Sequence, residues 1–127
     1  VALTADPAGT STLSQLSPGS VGQFTVTGAA GFVNLVIDLT PTFDLSNALA
    51  PPTSPVFKVT ALEATVRGGA NDGDAYAFTT VGNLQTDSTG TVSFDLGAKL
   101  TTDTATTTTT NYIDDVYTGT YTMEVTY

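Results

Sequence analysis

The chain has 127 residues and no cysteine, histidine or tryptophan, which excludes thiol chemistry, imidazole catalysis, soft-metal centres and disulfide staples. Twelve acidic residues stand against three basic ones, Lys58, Arg67 and Lys99, for a net charge of −9. That balance argues against nucleic acid and anionic membrane surfaces as partners and reads as solubility and suppression of unwanted association, with cation binding as the alternative.

Charged residues make up only 12% of the chain and apolar ones 40%, so threonine, serine, asparagine, glutamine and glycine must supply the polar surface. Threonine dominates, and a β-branched hydroxyl residue suits the solvent face of a pleated sheet. Composition alone points to an all-β protein with one continuous core. No apolar run reaches the roughly 18 residues of a membrane-spanning helix. The start, "VALTADPAG", has no charged leader ahead of an apolar stretch, so a chain already trimmed of its signal, or made without one, is expected.

Taken in order, "GQFTVTG" places Phe24 and Val26 on one face of a short strand between Gly22 and Gly28. "FVNLVIDLT" follows, with Val33, Leu35, Ile37 and Leu39 sharing a face, and reads as the clearest central strand. Residues 41–55 hold four of the six prolines and read as a long crossing loop, because proline lacks the N–H that a ladder needs. One helical turn capped by Asp44 or Ser46 is the most that "FDLSNALA" offers. "VFKVTALEATVRGG" is extended again, but its apolar parity switches near Ala61 and Leu62, which predicts a bulge or two consecutive strands. "GGANDGD" is a turn, "AYAFTTV" a strand, "GNLQTDSTG" a hairpin-like connection, and "TVSFDLGAKL" a strand with Val92, Phe94, Leu96, Ala98 and Leu100 in register. "TTDTATTTTTN" is low in complexity and expected to be mobile or to lie on the surface, with O-linked sugar as an alternative role. The last strand places Tyr117, Gly119, Tyr121, Met123, Val125 and Tyr127 on one face. Strands of this length between Gly, Pro, Asn and Asp turns are the pattern of a β-sandwich.

Few residues carry chemistry. Catalysis would rest on a pair of carboxylates, yet the acidic residues are scattered through turns and solvent faces, so no enzyme and no cofactor is expected. Asn71, Asp72 and Asp74 in "NDGD" have a fragment of the oxygen-ligand spacing that calcium favours; they are weak metal candidates, since the same residues make a plain β-turn. Asp114 and Asp115, beside Tyr112 and Tyr117, read as solvated charges that guard the approach to the last strand. Lys58 and Lys99 could form isopeptide links, but no partner residue is visible.

The order of "VALTADPAGT", "GQFTVTGAAGFVNLVIDL", "GTVSFDLGAKLTTD" and "YTGTYTMEVTY" resembles the bacterial DUF4402 family of secreted, pilin-like domains. The likeness covers both ends of the chain and about half its length, leaving 41–90 unmatched. It implies an immunoglobulin-like β-sandwich related to the subunits of chaperone–usher pili, incomplete and completed by a donor strand from a neighbouring subunit. On that reading residues 1–16 are an N-terminal extension, with Val1, Leu3 and Ala5 as a donor strand, and 17–127 form the sandwich. Family members carry an extra segment ahead of the matching start, so here either the first strand is expected to be supplied differently or only Val1, Leu3 and Ala5 act as a short insert.

A chain ending on an inward-facing strand would present a groove along its edge beside Tyr121, Met123, Val125 and Tyr127. The expected function is a structural subunit of an extracellular surface filament, a homopolymer serving attachment or biofilm, with a periplasmic chaperone and outer-membrane usher as assembly partners. The alternatives are a monomeric carbohydrate-binding or adhesin module, with a loop-borne site around Tyr76, Asn71 and Asp74, and a viral or phage coat domain.

Overall fold

A computed structural model describes residues 2–4, 19–103 and 110–127. The elements in chain order are β1 (Ala2–Thr4), β2 (Gly22–Val26), β3 (Val36–Leu39), β4 (Phe43–Leu45), β5 (Phe57–Arg67), a 3-10 turn (Gly69–Asn71), β6 (Ala75–Tyr76), β7 (Val92–Thr102) and β8 (Met123–Thr126). The fold is all-β among the described residues, and no helix is long and apolar enough to cross a membrane. One sheet runs β1-β7-β5-β4, with β2 also on β7 and β6 also on β5; β3 and β8 make a second, two-stranded sheet. The chain divides into two compact units. The first comprises 1–19, 41–61 and 98–121, the second 20–40, 62–97 and 122–127, and β5 and β7 each contribute to both.

The second unit holds the aliphatic core. Leu35 and Ile37 lead into and along β3, Ala64 and Val66 come from β5, Tyr76 from β6, Val92 and Phe94 from β7, and Leu84 from a connecting loop. These side chains form one buried cluster, against which Phe24, Val26, Met123 and Val125 pack while partly buried. β2 runs antiparallel to β7 with Phe24 directly opposite Phe94, and the two rings stack at 5.3 Å and 16°. A cross-strand aromatic pair of this kind contributes about 0.5–1.5 kcal/mol beyond its buried area.

The stretch expected to be a central strand is instead a four-residue strand, Val36–Leu39, of a two-stranded sheet, although its expected inward face is buried at Leu35, Ile37 and Leu39. One edge pairs antiparallel with β8, from Val36 opposite Thr126 to Leu39 opposite Met123. Its other edge is met by irregular backbone: Leu35 N–H donates to the Leu84 carbonyl at 2.8 Å, Thr86 N–H to Val33 at 2.9 Å, and Thr79 N–H to Ile37 at 2.9 Å. The Ile37 N–H is met by a side chain, the Tyr76 hydroxyl at 3.0 Å, which in turn donates to the Thr80 carbonyl at 2.8 Å.

The parity switch in β5 has a local cause. Val59 is buried on one side of the switch and Ala64 and Val66 on the other, and between them Ala61 sits at φ 49°. One left-handed residue in an extended strand displaces the alternation by one position, as a bulge does.

Four other expectations need correction. The single turn expected within 43–50 lies at its end and is capped differently: Phe43–Leu45 is β4, drawn into a ladder by Phe57–Val59, and at 47–50 the Ala50 N–H donates to the Asn47 carbonyl at 3.2 Å while the Asn47 side chain, not Asp44 or Ser46, accepts the Leu49 N–H at 2.7 Å. The strand expected over 75–81 stops at Tyr76, because the chain turns through Thr79 at φ 62°. Asp95, on the expected solvent face of β7, is 8% exposed and accepts from Arg67 Nε at 2.6 Å. The closing strand is limited to Met123–Thr126, with a separate bridge joining Thr118 to Ser46. The stretch 104–109 of the threonine tract lies outside the described residues.

The first unit relies on rings and polar ties. Phe57 stacks on Tyr112 at 4.4 Å and meets Tyr117 edge-on at 4.9 Å. The Tyr112 hydroxyl donates to the Val56 carbonyl at 2.9 Å and accepts the Asp103 N–H at 2.8 Å. Gly119 is required where the chain passes β4, since a Cβ there would overlap the Asp44 carbonyl.

The Tyr76 bond yields a direct expectation. Tyr76→Phe keeps the ring and leaves a buried N–H unsatisfied, so it should cost about 1–3 kcal/mol, read as a lower urea midpoint at unchanged m value.

Candidate functional site: the open edge of the last strand

The register of β3 with β8 determines which backbone groups of β8 point outward. Thr40 N–H donates to the Thr122 carbonyl at 3.1 Å, continuing the same register. Antiparallel pairs alternate between hydrogen-bonded and non-hydrogen-bonded, so the Asp38–Glu124 and Val36–Thr126 pairs exchange bonds, and the Leu39–Met123 and Ile37–Val125 pairs do not. Ile37 agrees, since its N–H and C=O are spent on Tyr76 and Thr79 on the side away from β8. The N–H and C=O groups of Met123 and Val125 therefore point away from β3. Among the described residues β8 pairs with β3 alone, so those groups form an open edge.

Side chains alternate along the same strand. Met123 and Val125 are half-buried on the core, while Glu124 and Thr126 are exposed. Glu124 stands directly opposite Asp38, also exposed. Facing like charges cost a few tenths of a kcal/mol, and they make the outer face of this pair unattractive to indiscriminate apolar contact.

The four expected groove residues do not behave alike. Met123 and Val125 pack on the core, Tyr121 stacks on Phe43 of the first unit at 5.3 Å, and Tyr127 is 85% exposed. Of the expected donor residues, Leu3 lies in β1, which pairs parallel with β7 of its own chain and sets Leu3 opposite Leu100. Val1 and Ala5 lie outside the described residues, as does most of the 1–16 extension.

The three "NDGD" candidates are placed differently, with only the Asp72 carboxylate bonded within the local turn. The Asp72 carboxylate accepts the Gly68 N–H at 2.9 Å, Asn71 Nδ2 donates to the Asn83 carbonyl at 2.7 Å, and the Asp74 N–H donates to the Asn71 carbonyl at 3.1 Å. No three acidic residues converge on one point among the described residues. Tyr76, expected in a loop-borne site, is 4% exposed with its hydroxyl committed, whereas Asn71 lines a surface cleft.

Among the described residues, three groups have displaced proton affinities. Asp87 closes the "DSTG" turn, accepting the Thr89 hydroxyl and N–H at 2.7 Å each and the Thr91 N–H at 3.0 Å. The Thr89 hydroxyl, then the turn's N–H groups, hold its carboxyl below the usual carboxylate range. Asp115 is lowered in the same way by the Asn47 amide and the Val116 N–H. Burial pushes the Tyr112 phenol up, against the opposing Asp103 N–H. A depressed carboxylate contributes stability that is complete above its unfolded pKa and is lost as pH falls through the folded value. Asp87→Ala should therefore show a flatter acid limb than the parent, with a smaller fall in Tm between about pH 5 and pH 2, measured by a thermal-melt series.

Comparisons with family models, curated proteins and solved structures find no match to this chain.

Proposed function

We propose that the protein is a structural subunit of an extracellular bacterial filament, pilus- or fimbria-like, that polymerises by strand addition and serves attachment or biofilm. The observation that carries this reading is the edge of β8, where the backbone of Met123 and Val125 faces away from β3 while their side chains rest on the core. An extended segment laid beside β8 would meet those N–H and C=O groups and cover the two half-buried side chains. Each apolar side chain so buried contributes about 1.5–3 kcal/mol before ordering costs. In this reading the fold is an immunoglobulin-like sandwich completed by a neighbour's strand.

The donor is residues 1–16 of the next copy, with Val1, Leu3 and Ala5 as its apolar teeth. β1 is suited to exchange because it is three residues long and parallel, the less stable mode of pairing. Docked beside β8 of a neighbour, β1 would leave its own β7 partner, and a head-to-tail contact that does not close builds a fibre. Such a homopolymer would be escorted by a periplasmic chaperone and an outer-membrane usher, which keep open edges from pairing early. The resemblance to secreted pilin-like domains agrees with this, as does an acidic surface that opposes nonspecific association.

Val125→Pro removes one outward N–H without deleting a β3–β8 ladder bond, and Val125→Asp places a charge under the incoming strand. Both variants should remain monomeric under electron microscopy and light scattering, with far-ultraviolet circular dichroism like the parent's. Deleting residues 1–10 should have the same effect, and a synthetic 1–16 peptide should bind that truncated chain. Fibres of normal appearance from a correctly folded Val125→Pro or from the truncated chain would overturn the proposal.

A further inference from the structure

The second unit also carries a surface cleft of about 350 Å³, within the size range of small-molecule sites. Phe32, Arg67, Asn71, Gln85, Asp87 and Ser93 are among its lining residues, and strand addition at β8 leaves it unused.

Phe32 is the anomaly. Its backbone sits at φ 58°, in the left-handed region, and its side chain is 67% exposed. That conformation costs about 1–2 kcal/mol for a residue with a Cβ, and an exposed ring recovers little of it by burial. The strain is held by surrounding bonds. Phe32 N–H donates to the Asp87 carbonyl at 3.2 Å, Gln85 Nε2 donates to the Phe32 carbonyl at 3.3 Å, and Val33 N–H donates to the Thr86 hydroxyl at 3.0 Å. Thr86 is 2% exposed and donates to the Ala30 carbonyl at 2.8 Å, which anchors the arrangement in the interior. Ala61 and Thr79 are also left-handed but serve a strand bulge and a turn; Phe32 differs in holding a large exposed ring at a cleft, and strain that the surroundings over-determine clusters at functional sites.

The polar lining describes what the ring would face. Asn71 and Gln85 spend their amide nitrogens on backbone carbonyls, so each offers a carbonyl oxygen as acceptor. Arg67 is held through Nε on Asp95, and its terminal nitrogens are further donors. Arg67 and Asp87 are the charged residues in the lining; Arg67 is already paired with Asp95, and the Asp87 carboxylate is engaged by its own turn through Thr89 and Thr91, so neither presents a free charge to a ligand. A ligand matched to this cleft is uncharged, has one apolar face for the electron-rich face of a phenyl ring, and has several hydroxyls at its edge.

We propose that the cleft binds a neutral pyranose, stacked on Phe32, its hydroxyls donating to the amide oxygens of Asn71 and Gln85 and accepting from Arg67. The site is separate from the edge of β8, so sugar binding and assembly can fail independently.

The test is a titration of the ¹⁵N-labelled full chain with methyl β-D-glucopyranoside and methyl β-D-galactopyranoside, up to about 50 mM, where a millimolar Kd saturates. At least one glycoside should shift the amides of 31–33, 67–71 and 85–93 and show saturation transfer to its ring protons. Phe32→Gly retains a residue at home in the left-handed region, so it should melt no lower than the parent while binding at least about tenfold more weakly. Phe32→Tyr, which keeps the π-face, should bind within about threefold of the parent. The proposal is overturned if neither glycoside shifts those amides, if the shifts map elsewhere, or if Phe32→Gly binds as well as the parent.

Discussion

The backbone of β3 is the constraint on which the second unit depends. Leu35 and Ile37 are fully buried, so every N–H and C=O beside them must find a partner within the protein. One edge is satisfied by a regular ladder with β8. The other is satisfied piecemeal by Leu84, Thr86, Thr79 and the Tyr76 hydroxyl. That second solution explains features that otherwise look unrelated: the early end of β6, the left-handed Thr79 that delivers its N–H to Ile37, and the burial of Leu84 in a loop. Because irregular backbone fills one side of β3, the regular strand must take the other, and β8 becomes the outermost strand of its sheet.

How much of this the sequence discloses depends on how local the cause is. Alternation over 33–39 and 92–96 is local, and the buried faces follow it. The switch at Ala61 is also legible, since a one-residue displacement of parity needs only the strand itself to be seen. The "DSTG" turn is readable from Asp at its start and Gly at its end, a combination that serves the Asp87 acceptor and the φ 78° of Gly90. Asp95 is misread because its partner, Arg67, comes from another strand and converts an expected solvent position into a paired, buried one. β4 is misread for the same reason: "FDL" becomes a strand only because Phe57–Val59 lies beside it.

The candidate sites divide along the same line. That the chain carries a strand-forming segment at 121–127 is visible in its alternation, and Met123 and Val125 are inward-facing as expected. Which of their backbone groups point outward is not visible, because it follows from the pairing register with β3, some 85 residues earlier in the chain. The cleft is less legible still. Its lining is assembled from 32, 67–71, 85–87 and 91–93, and no two of these segments form a motif by themselves. "GAAGF" reads as a turn, and nothing in it announces that Phe32, rather than the Gly31 before it, joins Gly28 in the left-handed region.

The placement of charge connects the two features. With three basic residues in the chain, Arg67 is neutralised by Asp95 and Lys58 by Asp44, at 2.6 and 3.5 Å, so the remaining surface is strongly acidic. In salt an acidic protein repels its own copies only within about 8–10 Å, so the hydrogen bonds of an added strand, made at contact, must outweigh the repulsion that remains there. Asp38 and Glu124 lie on the outer face of the β3–β8 pair, whereas the outward N–H and C=O groups of Met123 and Val125 lie along its edge. A partner approaching face-on meets two carboxylates. One approaching edge-on, as an extended strand, meets unpaired backbone and two half-buried side chains. The same strand thus disfavours nonspecific adhesion through its side chains while its backbone stays open to strand pairing.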